Sequence, residues 1–232
     1  MAPQISKALQ EAHTDEILDI CSGGGGPHGT LAGIDELKES LTKITLSDLY
    51  PNIKAYKVWA EKYPGRVTYS ENPVNATDCN YGDGKKRYLR TMMCSLHHFP
   101  PNLVQKMLED CIAKNDAFIA MEFGNRSLYT LTLGLVIGPI LAMMGTIAYL
   151  PQMNFCYALT RLFFTFIIPV LPLTFAFDGY VSFLRMYTEK EFMDVCAKAD
   201  PESKYTWTVI EDYHPGSFMP AVTYKGIPKE SI

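Results

Sequence analysis

Short apolar runs alternate with amphipathic stretches over the first half of the chain. Residues 3 to 13 have the spacing of a short helix, and Glu16 to Ile20 reads as a brief buried strand that runs into a glycine-rich turn. A helix is predicted over about Leu31 to Leu41, a strand over Lys43 to Ser47, and a helix over about Ile53 to Lys62 whose end is marked by Tyr63, Pro64 and Gly65. Val67 to Ser70 and Tyr88 to Ser95 are the third and fourth strands, Leu103 to Lys114 the next helix, and Ala117 to Phe123 the fifth strand. Strands that alternate with helices in this way predict an α/β fold with a mainly parallel sheet covered on both faces.

The pattern changes twice after Phe123. Between Arg126 and Asp178 lie 51 residues with a single charge, Arg161. Leu128 to Leu150 is 23 residues long without a charge, and a membrane span needs about 20. Leu162 to Phe177 is a second apolar run, broken by Pro169 and Pro172. Three readings fit: a helical hairpin that enters or lies on a membrane, a hydrophobic lid that pairs with a second subunit, or an apolar channel for a lipid-like substrate. Both ends of the insertion return to one sheet edge, which excludes a single crossing, and membrane association or a lid is preferred to true spanning. The protein is therefore expected to need detergent or to form a homodimer through residues 128 to 177. Beyond it, Thr188 and Glu191 have the spacing of a capping box that starts a helix to about Ala199. Tyr205 to Tyr213 and Ala221 to Gly226 are joined by His214, Pro215, Gly216 and Ser217, too short a link for a parallel crossover, so they must pair as an antiparallel hairpin.

Composition narrows the partners. A net charge of −4, and no basic run longer than Lys85, Lys86 and Arg87, argues against a nucleic-acid surface. The six cysteines show no zinc spacing and read as reduced core residues. The first fifteen residues carry Glu11, His13 and Asp15 and no apolar core, so no signal peptide is expected, the Asn75 and Asn125 sequons carry no weight, and the chain is expected to be cytoplasmic, with membrane association where the insertion provides it.

The chemistry-bearing turn is Cys21-Ser22-Gly23-Gly24-Gly25-Gly26-Pro27. Glycines let a backbone approach a ligand closely, and Gly24, Gly26 and Gly29 satisfy a G-x-G-x-x-G spacing that is weak by itself. Asp19, four residues before Gly23, decides the reading, because a carboxylate there suits the cationic ammonium of a methionine moiety and would repel a pyrophosphate. Asp48 ends the second strand, where an acidic side chain can accept both ribose hydroxyls, or can simply cap the turn through Pro51 and Asn52. Asn75 and Asp78, after the third strand, compete to bond an adenine amino group; a plain Asx-turn is the alternative.

The run Ile17 to Pro27 resembles motif I of the class I S-adenosylmethionine-dependent methyltransferases, with Asp48, Asn75 and the segment Leu96-His97-His98-Phe99-Pro100 in the order expected behind it. The segment Phe177 to Thr188 resembles a subgroup with an apolar insertion after the fifth strand. The resemblance implies a three-layer Rossmann-like sheet, mostly parallel and closed by the C-terminal hairpin. It implies a core over 1–127, an apolar helical insertion over 128–177, and completion of the same domain over 178–232. S-adenosyl-L-methionine would be the cofactor, held by Asp19, Cys21, Ser22, Gly23, Gly24, Gly25, Asp48, Leu49, Asn75, Ala76 and Ser95. Asn75 stands where Asp is more usual, and few residues precede the first strand.

Methyl transfer is an in-line displacement in which proximity supplies much of the acceleration, and a base is needed only for a protonated acceptor. His97 and His98, after the fourth strand, are the candidate catalytic residues, with a structural or loop-orienting role as the alternative. Glu122 and Arg126 could reach the same crevice to bind substrate. Asp178 and Arg185 are the other substrate candidates, or else pair with each other. A metal site from His97, His98 and Glu122 lacks a further ligand at sensible spacing, so none is expected. The expected activity is methyl transfer to a small or lipid-like acceptor, the alternative a non-catalytic cofactor-binding or membrane-associated scaffold.

Overall fold

The computed structural model describes residues 1–82, 86–214 and 216–229; Lys85 of the basic triplet and Pro215 of the hairpin link lie outside them. The strands are β1 (Glu16–Asp19), β2 (Lys43–Leu46), β3 (Val67–Tyr69), β4 (Leu89–Met93), β5 (Ala117–Phe123), β6 (Tyr205–Asp212) and β7 (Ala221–Pro228). The α-helices are α1 (Ala2–Glu11), α2 (Gly26–Leu31), α3 (Ile53–Lys62), α4 (Pro101–Lys114), α5 (Leu128–Tyr149), α6 (Phe155–Leu162), α7 (Val170–Arg185) and α8 (Glu189–Ala199). They form two compact units, Met1–Phe123 with Thr188–Ile232, and Gly124–Tyr187.

In the first unit all seven strands form one sheet in the order β3-β2-β1-β4-β5-β7-β6. β1 to β5 run parallel, and β7 enters antiparallel beside β5 with β6 outside it. Ile17, Ile44, Leu89 and Ile119 of adjacent strands share a core with Ile5 and Leu9 of α1. Burial on both faces explains why the inner strands read as continuous apolar runs. The capping box at Thr188 and Glu191 forms and starts α8. Asn52 caps α3 through its side chain. Of the cysteines expected in the core, Cys79, Cys111 and Cys196 are buried, whereas Cys94 and Cys156 are exposed.

The helix expected over Leu31 to Leu41 is placed differently. α2 starts at Gly26, because Gly25 takes a left-handed conformation (φ 92°) and Pro27 fits the first helical turn. It stops at Leu31, and a separate 3-10 turn covers Asp35–Leu37. Gly33 lies so close under Tyr63 that a Cβ there would fall 2.5 Å from its hydroxyl. Leu31, Leu37 and Leu41 are all buried, so the spacing that suggested one helix records burial through two short ones.

The second unit is built on α5 packed against α7. Gly138 comes close enough that a Cβ would lie 3.0 Å from the Phe175 carbonyl, and Gly134 rests against the Phe183 ring. The buried positions of α5 are Thr130, Gly134, Ala142 and Thr146. Large apolar side chains point outward instead, among them Leu141, Met144 and Ile147. This inverts the order of a soluble helix and follows the packing of helices in lipid, where small residues make the interface. The stretch Leu128–Gln152 is 25 residues long, holds an 18-residue window of mean hydropathy 2.0, and is long and apolar enough to cross a membrane. α6 continues into a π-helical turn, Phe163–Ile167, and meets α7 at a bend of 69°.

The Trp59 ring of α3 lies directly over α2, so that a Cβ at Gly29 would fall 2.1 Å from it. Gly29→Ala should therefore destabilise the protein by about 1–3 kcal/mol through overpacking. In a Trp59→Leu background the same substitution should lose most of its effect. Denaturant titration of the four variants measures both.

Candidate functional site

The glycine turn leaves the C-terminal end of β1, where the sheet order reverses between β1 and β4. Open α/β sheets leave a crevice at that point. Asp19 and Thr91 are register partners across it. The Thr91 hydroxyl donates to Asp19 Oδ1 at 3.0 Å, and the Ser22 hydroxyl donates to Oδ2 at 2.6 Å. His28 of α2 approaches the same Oδ2 through Nδ1 at 3.2 Å, and its Nε2 is 2.8 Å from Thr91 Oγ1.

Asp19 and His28 are both buried, 1% and 0% exposed. Burial raises the Asp19 pKa above the ordinary carboxylate range, opposed by His28 and by the Ser22 and Thr91 hydrogen bonds. Burial lowers that of His28, opposed by Asp19. The hydrogen-bond pattern agrees with these directions. With the Thr91 hydroxyl hydrogen given to Asp19, the Thr91 oxygen must accept from His28 Nε2–H. His28 Nδ1 faces Asp19 Oδ2 without a hydrogen bond of its own. Asp19 is enclosed beneath the turn rather than free in an open crevice.

Above it the turn is open. Gly23 and Gly24 are exposed, and a Cβ at either would meet nothing within 4 Å. Gly25 is closed off, because a Cβ there would fall 2.5 Å from Trp59. Asp48, half-buried beyond β2, accepts the Gly23 N–H through Oδ2 and the Tyr50 N–H through Oδ1, each at 2.9 Å. Each oxygen keeps a second lone pair for a ligand hydroxyl. Leu49 beside it is 46% exposed, an apolar surface at the rim. The Cys21 thiol is pushed up by burial and by the Asp19 and Asp48 carboxylates, so it stays protonated.

Asn75 forms an Asx-turn, its Oδ1 accepting from the Thr77 N–H at 3.0 Å and the Thr77 hydroxyl at 2.9 Å, while Ala76 is buried. Ser95 donates to the Met93 carbonyl at 2.8 Å and leads into the short 3-10 turn Leu96–His98. In that turn the His97 Nδ1 lies 2.9 Å from Glu122 Oε2, and its backbone N–H donates to Oε1 at 3.2 Å. Glu122, near the end of β5, is 2% exposed. An ionised carboxylate only accepts, so the ring proton sits on Nδ1 and the basic lone pair on Nε2. The His98 ring stands 4.3 Å from that of His97 between centroids.

Arg126 belongs to the second unit and gives Nε and Nη2 to the Met186 carbonyl. Asp178 and Arg185 are exposed on α7. The mutual pairing considered for them does not form, since they stand two helical turns apart, about 10 Å of rise. His28, Thr91 and Trp59 are members of the turn's surroundings that the sequence did not single out. His28 lies on α2 directly after the turn, whereas Thr91 and Trp59 reach it from β4 and α3, brought there by the pairing of β1 with β4 and by the position of α3.

No protein-family model matches the chain, and no curated protein matches its sequence. Solved structures do match. The methyltransferase domain of bacterial CtHen1-C is 12% identical over 99% of this chain and 97% of that chain, with a TM-score of 0.55. The S-adenosylmethionine-dependent methyltransferase SibL in its apo form is 13% identical over 98% of this chain and 55% of that one, with a TM-score of 0.51. A putative Zn-dependent alcohol dehydrogenase from Rhodobacter sphaeroides is 12% identical over 93% and 85%, with a TM-score of 0.50. Likeness at these identities concerns the backbone alone. With its 3-2-1-4-5-7-6 sheet and antiparallel seventh strand, the chain has the Rossmann-like fold of the S-adenosylmethionine-dependent methyltransferases.

Proposed function

We propose that this protein is an S-adenosylmethionine-dependent methyltransferase that acts on a small or lipid-like acceptor and associates with membranes through its second unit. One observation carries the reading: an open glycine turn at the β1/β4 reversal, underlain by Asp19 and tied at its rim by Asp48. The residues present fit the donor. Gly23 and Gly24 leave room for close backbone approach, the spare lone pairs of Asp48 suit a ribose diol, and Leu49 offers an apolar face to a base. The Asn75 oxygen, which would have accepted from an adenine amino group, is engaged by Thr77, so Asn75 can offer only its amide hydrogens to a ring nitrogen.

The donor supplies a methyl carbon activated by a positively charged sulfur. What the chain adds is position and a proton acceptor. Glu122 fixes the tautomer and orientation of His97, leaving Nε2 to take a proton from an acceptor hydroxyl or amine. Glu122 is thus a positioning residue in this reading, because both of its oxygens are engaged by His97. Arg126, Asp178 and Arg185 remain substrate candidates within the second unit. The inverted packing of α5, small residues inside and Leu141, Met144 and Ile147 outside, supports membrane association.

A second reading, a non-catalytic donor-binding or membrane-associated scaffold, draws support from the enclosure of Asp19 by Ser22, Thr91 and His28. Turnover separates the two. The protein should transfer an isotopically labelled methyl group to at least one member of a panel of small and lipid-like acceptors; binding without transfer to any of them favours the scaffold. Calorimetry with S-adenosylmethionine, its demethylated product and NAD should show the first two binding and NAD not. Binding of NAD alone would overturn the methyltransferase reading.

Asp48→Ala and Asp19→Ala should each weaken donor binding by about 1.5–3 kcal/mol, the loss of a charged hydrogen-bond partner. The donor is cationic, so its arrival favours the ionised form of Asp19. Because burial holds the Asp19 pKa above its ordinary value, affinity should rise with pH until Asp19 is ionised in the free protein, and then level off. Asp19→Asn should abolish that slope, as read by calorimetry at a series of pH values.

His97→Ala should spare donor binding and slow turnover by about 10²–10⁴-fold if Nε2 is the base. Glu122→Gln should keep the fold but shift the pH dependence of kcat, since the amide no longer holds the Nδ1 proton with a negative charge. Unchanged turnover in both variants returns the pair to a structural role.

A further inference from the structure

The second unit contains a cavity of about 370 Å³ lined by Tyr157, Thr160, Arg161, Phe164, Val170 and Leu171. Arg161 is the single charged residue among the 51 between Arg126 and Asp178. A lone guanidinium in so apolar a segment is unfavourable unless it meets an anion or water, which makes such a residue a functional candidate. Its placement is built rather than incidental. Arg161 Nε donates to Thr146 Oγ1 at 3.3 Å; Thr146 is itself fully buried, hydrogen-bonded to the Ala142 carbonyl at 2.9 Å and to Thr165 Oγ1 at 3.1 Å. The Nε bond fixes the guanidinium plane and leaves its two Nη groups for a ligand.

The rest of the lining is apolar or aromatic apart from the Thr160 and Tyr157 hydroxyls, and Thr160 gives its own to the Cys156 carbonyl. The π-helical turn Phe163–Ile167 and the 69° bend between α6 and α7 open the helix pair at this point. Widened turns of this kind recur at functional sites. A fixed planar cation beside an apolar wall matches a molecule with an anionic head and an alkyl tail. A guanidinium binds phosphate and carboxylate in fork geometry, so the head should be one of these.

We propose that this cavity binds an anionic amphiphile, its phosphate or carboxylate head on Arg161 and its alkyl chain along Phe164, Val170 and Leu171. The site stands whether or not the first unit transfers methyl groups.

Calorimetry on the full-length protein in a neutral detergent tests it with dodecyl phosphate, dodecanol and inorganic phosphate as probes. Dodecyl phosphate should bind at least tenfold more tightly than either of the others. Arg161→Gln should lose at least tenfold of that affinity, with Arg161→Lys between the two, while the circular dichroism spectrum and S-adenosylmethionine binding stay as in the parent. Flotation with phosphatidylcholine vesicles, with and without phosphatidic acid, separates the sources of the head group. An Arg161-dependent gain on the acidic vesicles places it in a bilayer; Arg161-dependent dodecyl phosphate binding without that gain makes the ligand a dispersed amphiphile, and either outcome upholds the site. Equal binding by parent and Arg161→Gln in both assays overturns it, as does dodecanol binding as tightly as dodecyl phosphate.

Discussion

The first unit depends on how a buried carboxylate is satisfied at the end of β1. An Asp at that depth has few acceptable arrangements, since an unpaired charge removed from water is strongly unfavourable. Thr91 from β4, Ser22 from the turn and His28 from α2 converge on Asp19. These contacts tie together the strand, the glycine turn and the following helix, and they lock the β1/β4 pairing at the one place where the sheet changes direction. Trp59 closes the far side of the turn against Gly25 and also packs on Gly29 of α2, while Gly23 and Gly24 are left facing open space. The turn is therefore rigid on the side of the protein and accessible on the other, the condition for holding a ligand by backbone approach.

The burial of Asp19 changes how that ligand would be recognised. A free carboxylate would attract any cation at any time. A carboxylate whose pKa is raised by burial is held in its charged form more readily when something positive sits beside it, so recognition becomes coupled to pH. Asp48, half-exposed and bound to the Gly23 and Tyr50 amides, has the complementary job of holding the turn's shape while keeping lone pairs outward. The two acids thus differ in kind although the sequence presents them alike, each at the end of a parallel strand.

Much of this was legible in the residue pattern, and the reason is physical. Parallel strands buried on both faces leave continuous apolar runs, the link from His214 to Ser217 is too short for anything but a hairpin, and Thr188 with Glu191 announces α8; all are local signals. What was not legible is non-local. The Leu31 to Leu41 spacing suggested one helix because apolar periodicity reports burial and not continuity, and the close approach of Tyr63 to Gly33 comes from a residue thirty positions away. His28 and Thr91 look like ordinary loop and strand residues until the strands are paired. Glu122 and His97 were each singled out, but the bidentate contact that gives one the task of orienting the other appears only when the ends of β4 and β5 are side by side.

The second unit poses the opposite problem, since its composition was conspicuous and its purpose was not. Apolar content alone does not separate a buried core helix from one whose large side chains face outward, but the sorting of residue sizes does. Water drives large apolar side chains inward; lipid removes that drive and leaves close backbone packing as the source of helix association. Thr130, Gly134, Ala142 and Thr146 inside α5, with large side chains outside, follow the second rule. Hydroxyls of Thr146 and Thr165 meeting in the interior, with Arg161 hydrogen-bonded to them, extend the same logic to polar groups. These polar groups satisfy one another inside the unit, while the Nη groups of Arg161 are left with hydrogen-bonding capacity to spare.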